Sequence, residues 1–400
     1  MNSGIHSPPD VLFVIPSMEV GGTELHVASI AGALTTRGWK VAVYSAADGP
    51  VTRLLQANNV RLILPPPARE LFDKLPGSGI FGLAAIALHL LGVLLKQRPQ
   101  VVHFFLPGAY LAGAPLAIVA RSRVRVMSRR SLNRYQSRSR LVAPFERWLH
   151  RYMTAVLGNS RSVMKELEAE GVNAGRLGLI YNGLDLARVP SVSREQVRAA
   201  LGIPEASLVL IIVANLIPYK GHLDLVEALG HAACKIPGDW RLLVVGRDDG
   251  AGAATRALAV SRGIAQKIVY LGSRDDVSEL LRASDIGLLA SHQEGFSNAV
   301  IEGMSAGLPM VVTDVGGNAE AVVDCETGIV VPPHDPAAFA EAIVRLADDP
   351  AMRRRYGLAG RRRVEENFSL DGCVGRYEAL YRGLRAGKSP AEIREIRYRS

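Results

Sequence analysis

Cysteine is scarce in this chain of 400 residues: Cys234, Cys325 and Cys373 are the whole complement, odd in number and far apart. That excludes a disulfide framework and a cysteine-built zinc site, and it fits a reducing compartment. The simplest reading of each is a small buried thiol. Aromatic residues make up only 6% of the chain, so the stacking platforms of a single-stranded nucleic-acid binder are missing, and nucleic acid is the least favoured anionic partner. No apolar run reaches the roughly 20 residues that span a bilayer. The best candidate, 80–95, contains two glycines and His89 and is closed by Lys96, Arg98 and Pro99, so it reads as a buried or surface-seated helix. The polar, proline-containing start shows no signal peptide, and the expectation is a cytoplasmic protein that touches a membrane without crossing it. No G-x-G-x-x-G follows a strand, which argues against a nicotinamide site. No Asp-x-Asp is present to hold a divalent ion beside a diphosphate, so no metal and no cofactor are expected.

Hydrophobic residues at 48% and charged residues at 21% describe an ordinary folded enzyme of two or three domains. Short Val- and Ile-rich runs alternate with helical stretches along most of the chain. They predict strands at 11–16, 40–45, 60–64, 101–105, 124–128, 155–158 and 177–180, then at 208–214, 241–246, 267–271, 286–290, 310–313 and 328–331. Continuous apolar strands between helices imply parallel sheets covered on both faces. The fold class is therefore α/β, with two doubly wound Rossmann-like halves, each binding ligands beyond the carboxyl ends of its strands. The expected divisions are residues 1–187, residues 188–371 and a C-terminal helical segment over 372–400, with a linker near Ala187 to Val192. Tyr377, Leu380, Tyr381 and Leu384 have helical spacing, and the Arg-rich end from Gly387 is expected to fray.

The net charge of +9 is unevenly placed. Ten arginines from Arg121 to Arg151 share their stretch with a single acid, Glu146. Such a patch seeks an anionic membrane surface or a lipid phosphate, or else is a solvated basic face.

The most informative stretch runs from Glu294 through Gly-Phe-Ser-Asn-Ala-Val-Ile to Glu302. Ser297 is a suitable N-cap for a short helix from Asn298, and Gly307 with Pro309 ends it. Glu294 then precedes the helix and Glu302 lies just over one turn inside it, with the free N–H groups between them forming an anion site. Two carboxylates also raise glycoside hydrolysis, yet a phosphate-type helix terminus is a poor place for a hydrolase pair, and ribose hydroxyls suit Glu302 better. Gly316-Gly317 follows as a loop. Gly21-Gly22-Thr23-Glu24 opens a helix directly after the first strand and allows close backbone approach, although a tight turn alone would also want glycine. Asn215 to His222, after the first strand of the second half, brings Lys220 to a glycine-bordered loop where it can neutralise a phosphate.

Together these motifs resemble the retaining glycosyltransferase family 4, of the GT-B fold, over nearly the whole chain. The resemblance also takes in Gly158-Asn159-Ser160, the segment from Ile180 to Asp185, Gly272 with Asp276-Val277, and Gly316 to Glu320. It implies transfer of a sugar from a nucleotide-diphosphate sugar, as co-substrate, to a glycan or lipid-linked saccharide, with retention and without a metal. It implies that Lys220 binds the diphosphate, that Glu294 contacts the transferred sugar and Glu302 the ribose. The backbone of Phe296, Ser297, Asn298, Gly21 and Gly22 would help hold phosphate or sugar, and Arg274 would border the base. Asn318 and Glu320 would lie near the cleft. Two positions depart from the pattern. Asn215 stands where many members carry arginine, which leaves a second charge on the leaving phosphate unassigned. The family's histidine after the fourth strand has only His103 nearby, two places early, as a catalytic candidate or a satisfied strand-end histidine. Two further readings on the same fold are a non-catalytic nucleotide-sugar binder and a nucleotide-sugar epimerase.

Overall fold

The structure, a computed structural model, describes residues 8–66, 78–138, 140–187 and 192–398. It forms two compact units, one of residues 1–183 with 370–400 and the other of residues 184–369. Within the expected linker, 188–191 lie outside the described residues.

The first unit is built on a parallel sheet of β1 (Val11–Ile15), β2 (Val41–Ser45), β3 (Arg61–Ile63), β4 (Val101–Phe105), β5 (Val124–Arg129), β6 (Ala155–Gly158) and β7 (Leu177–Leu179). Its order is β3-β2-β1-β4-β5-β6-β7. The second sheet holds β8 (Leu208–Val213), β9 (Trp240–Val245), β10 (Ile268–Gly272), β11 (Ile286–Leu289), β12 (Met310–Thr313) and β13 (Gly328–Val331), in the order β10-β9-β8-β11-β12-β13. All the strand pairs are parallel. In both sheets the order reverses beside the first strand, between β1 and β4 and between β8 and β11. That crevice beyond the strand ends is where such sheets take ligands.

Alternate side chains of one strand feed opposite faces, which is why strands such as Val11–Ile15 are buried throughout. Phe13 and Ile15 join one core of the first unit, and Leu12 and Val14 the other. The Leu370–Arg385 helix lays Val374, Tyr377, Leu380, Tyr381 and Leu384 into the first of these cores. Arg37 pairs with Asp371 and Glu378 at its edge.

Two expectations change here, on the C-terminal stretch and on the cysteines, and a third, on the apolar helix, holds. From Gly387 to Tyr398 the stretch is held in place: Ile393 and Ile396 are buried, Arg397 bridges to Gly178, and Tyr398 donates to Glu168 at 3.2 Å. Two isoleucines supply the apolar anchor that the surrounding arginines hid. Cys373 is buried, but Cys234 and Cys325 sit in exposed turns, because each follows the end of an element rather than lying within one. The apolar candidate over 80–95 belongs to the Ser78–Gln97 helix, with Leu90, Val93 and Leu94 buried and Leu83 and Leu88 exposed. Among the described residues no helix is long and apolar enough to cross a membrane.

Candidate active site

In the second unit the loops after β8 and β11, the two strands at the order reversal, meet through one ion pair. Lys220 Nζ donates to Glu294 Oε1 at 2.6 Å, and Ser291 Oγ donates to the same oxygen at 2.8 Å. Both charged side chains are mostly shielded. Burial alone would lower the Lys220 ammonium, but the charge and hydrogen bond of Glu294 outweigh it and hold the lysine above its ordinary value.

Backbone contacts fix this meeting. The His292 N–H donates to the Tyr219 carbonyl at 2.7 Å, and the Gly317 N–H to the Gly295 carbonyl at 2.8 Å. Gly221 has φ of 70° and Gly316 φ of 55°, both left-handed. A Cβ on Gly221 would overlap the Ala290 carbonyl oxygen, and one on Gly316 would overlap the Glu294 carbonyl oxygen. Only glycine meets both demands, conformation and closeness, so these residues set how near the lysine and glutamate loops come.

The helix expected after Ser297 is present as Asn298–Ser305, with extended backbone at Ser297, though the Ser297 side chain makes no capping bond. Phe296 and Ser297 are buried, and Phe296 packs on Phe368 with ring centroids 5.1 Å apart. This anchors the turn that opens the helix, whose first N–H groups have no partner within the helix itself. Asn298 and Glu302 are both half-buried. Asn318 is fully buried and donates to the Thr313 carbonyl at 3.1 Å, so it shapes the β12 exit. Arg274 forks onto Asp276 at 2.7 and 2.6 Å on the surface.

Asn215 reveals a residue that the sequence reading missed. Its Oδ1 accepts the Arg247 N–H at 3.1 Å, and its Nδ2 donates to Asp249 Oδ2 at 3.1 Å. Arg247 grips the same carboxylate, with Nε to Oδ1 at 2.7 Å and a second nitrogen to Oδ2 at 3.1 Å. A guanidinium therefore stands beside Asn215, carried on the neighbouring β9 exit instead of on β8.

In the first unit, Gly21 is the N-cap of the Gly22–Thr36 helix, with extended backbone and no side-chain cap. Burial raises the Glu24 carboxyl above its ordinary value, opposed by its own backbone hydrogen bond and by Arg130. His103, by contrast, lies in mid-strand at 0% exposure. Its Nδ1 pairs with the Tyr381 hydroxyl at 2.8 Å and its Nε2 with Ser128 Oγ at 2.7 Å. Burial, helped by the charge of Arg130, pushes its pKa well below the ordinary 6.5. The structure thus gives His103 the geometry of a satisfied core histidine, removed from the strand ends by the two residues that follow it in β4.

The arginine stretch is also divided. Arg129 is buried, with Glu146 and Glu170 each 2.6 Å away, so it belongs to an internal network. Arg121, Arg123, Arg140, Arg147 and Arg151 are exposed. Alongside the Val142–His150 helix, Leu141, Phe145, Trp148 and Tyr152 are exposed too. Their spacing of three and four residues puts them on one side, and the rings touch in series, Phe145 to Trp148 at 5.8 Å and Trp148 to Tyr152 at 4.9 Å between centroids.

Residues 20–188 match the family model described as Glycosyltransferase Family 4, and residues 207–349 that described as Glycosyl transferases group 1. The chain is 27% identical to the D-inositol 3-phosphate glycosyltransferase of Thermomonospora curvata, over 92% of this chain and 91% of the relative. It is 31% identical to the N-acetyl-alpha-D-glucosaminyl L-malate synthase of Bacillus anthracis, over 50% of this chain and 52% of the relative. Among solved structures, Anabaena HepE in complex with UDP and glucose superposes with a TM-score of 0.81 at 21% identity, covering 94% of this chain and 100% of that one. The two doubly wound sheets are those of the GT-B fold.

Proposed function

The chain belongs to glycosyltransferase family 4, and from that premise we propose that it transfers a sugar, with retention and without a metal at the diphosphate, from a nucleotide-diphosphate sugar to an acceptor hydroxyl. The observation that carries this reading is the Lys220–Glu294 pair at the exits of β8 and β11. Residues 184–369 hold the donor, and the other unit holds the acceptor. The anomeric carbon–oxygen bond to the diphosphate breaks, its electrons leave with the nucleoside diphosphate, and the acceptor oxygen bonds to the same carbon while its proton passes to the departing phosphate.

Departure is eased by positive charge already in place. Lys220 supplies one such charge, and Arg247 supplies the second in the place that Asn215 leaves open. The N–H groups at the Asn298 helix start and at Gly21 and Gly22 meet phosphate or sugar oxygens. Glu294 accepts hydrogen bonds from sugar hydroxyls and Glu302 from the ribose, while Arg274 borders the base. The HepE complex with UDP and glucose supports this class of donor.

The acceptor in this reading is a glycan or a lipid-linked saccharide, and a lipid-diphosphate link at the inner face of a membrane would give it negative charge. The exposed arginines and the Leu141–Phe145–Trp148–Tyr152 side support a membrane contact, since aromatic rings flanked by arginines suit an anionic lipid interface. Sedimentation with anionic and neutral vesicles tests it: binding to anionic vesicles at low salt should weaken in Phe145→Ala and Trp148→Ala. The named activities of the two relatives involve an inositol phosphate and malate, both small anions, so these belong in the acceptor screen.

A thermal-shift screen against UDP-, GDP- and ADP-sugars identifies the donor, because binding to the folded state raises its melting point by mass action. Asn215 also motivates a non-catalytic binder. Labelled donor that binds but is never transferred to any acceptor would favour that alternative, and sugar interconversion with no acceptor would favour an epimerase.

A further inference from the structure

Outside the donor machinery, three side chains from three separate segments converge in the second unit. Asp224 lies in the first turn of the His222–Ala232 helix, His292 in the loop after β11, and His334 in the turn between β13 and the Pro336–Asp348 helix. His292 Nε2 is 2.8 Å from Asp224 Oδ2, and His334 Nδ1 is 3.8 Å from the same oxygen. One ligand atom from each of the three lies within 4.8 Å of the others, and the imidazole centroids are 3.8 Å apart. His334 takes this position in a left-handed backbone, with φ of 59°, a strained conformation for a residue with a side chain.

We propose that Asp224, His292 and His334 bind a divalent transition-metal ion, with zinc the best match. Two imidazoles and one carboxylate form a borderline donor set that suits zinc and, less tightly, cobalt. Bonds of about 2.1 Å in a tetrahedral site separate ligand atoms by roughly 3.4 Å. The 2.8 and 3.8 Å separations bracket that value, so small side-chain rotations convert the cluster into three ligands. His334 is 63% exposed, which leaves the fourth position to water.

The ion would tie together the two segments that carry the candidate active site. Asp224 is four residues past Lys220, and His292 is two before Glu294. Those segments already share the bond from the His292 N–H to the Tyr219 carbonyl. Metal ligation thus acts as a clamp on the loops that position the lysine and glutamate, without contacting substrate. Sequence spacing concealed it, because 68 residues separate Asp224 from His292.

The test uses the full chain, metal-stripped and freed of any histidine tag, with no donor or acceptor present, so its outcome is separate from that of the transferase reading. Cobalt titration followed by visible absorption, and zinc titration against a chromogenic chelator, should show one ion per chain. His334→Ala and Asp224→Asn should each weaken binding at least about tenfold. Zinc should raise the melting temperature of the unsubstituted protein and not that of His334→Ala. His334 is exposed, so His334→Ala and His334→Asn keep the test decisive even if Asp224→Asn fails to fold. Absence of stoichiometric binding, or equal binding in the His334 variants, would overturn the proposal.

Discussion

Lys220 and Glu294 lie 74 residues apart in sequence, and their side chains meet at 2.6 Å at the exits of neighbouring strands β8 and β11. Each is the other's counter-charge until an anionic ligand arrives. A shielded pair of this kind is coupled, because removing one partner strands the other. In urea unfolding without ligand, Lys220→Met and Glu294→Gln together should therefore cost less than the sum of the single changes. The expected coupling is about 1 kcal/mol or more; strict additivity would show that the pair contributes nothing to the resting protein.

Arg247 stands beside Asn215 through shared contacts with Asp249. If it supplies the second positive charge, Arg247→Ala should lower kcat/KM for the donor by about ten- to a hundredfold, the worth of one hydrogen bond to a charged group. Adding Asn215→Arg should restore part of that loss by returning a guanidinium from the adjacent strand. Steady-state kinetics of the single and double variants decide it, and an unchanged Arg247→Ala enzyme would exclude the role.

Gly316 sits in a left-handed conformation against the Glu294 carbonyl. Gly316→Ala should lose at least about 1–2 kcal/mol from backbone strain alone and more from the overlap. Activity should fall with stability, since relief of the overlap moves the glutamate loop. A variant unchanged in both melting temperature and turnover would contradict this packing.

His26 and His103 are buried and held well below the ordinary pKa of 6.5, chiefly by burial with help from Arg130. In the unfolded chain both titrate near 6.5, so on acidification the unfolded state binds protons first. Their full contribution is present above 6.5 and is lost as pH falls below it, at up to about 1.4 kcal/mol per pH unit for each histidine. His222, lowered to about 4 by burial, adds to this in the same window, so unfolding free energies measured between pH 7.5 and 5.5 should fall with at least the slope of the two, and His103→Gln should remove one proton from it. A flat profile in this window would show that these imidazoles are not held neutral.

Much of the fold was legible because a parallel strand covered on both faces writes itself as an unbroken Val/Ile run. Val11–Ile15 and Leu208–Val213 stand within a residue of expectation for that reason. The glycine-bordered loops were legible because Gly221 and Gly316 mark positions that no other residue can take. Relationships across strands were not. Arg247 reaches Asn215 over 32 residues, and nothing local to either announces it. The setting of His103 depends on Tyr381, which a helix 278 residues later brings beneath the sheet. The convergence of Asp224, His292 and His334 likewise exists only once a helix start and two loops share one end of a sheet.

Whether the Lys220–Glu294 site carries sugar transfer is decided by following a labelled nucleotide-diphosphate sugar, chosen from the thermal-shift screen, into an acceptor preparation with the unsubstituted protein, Lys220→Ala and Glu294→Ala. The unsubstituted protein should give labelled product and free nucleoside diphosphate. Both variants should lose at least about a hundredfold in rate while still unfolding cooperatively. Full transfer activity in both folded variants would contradict that assignment.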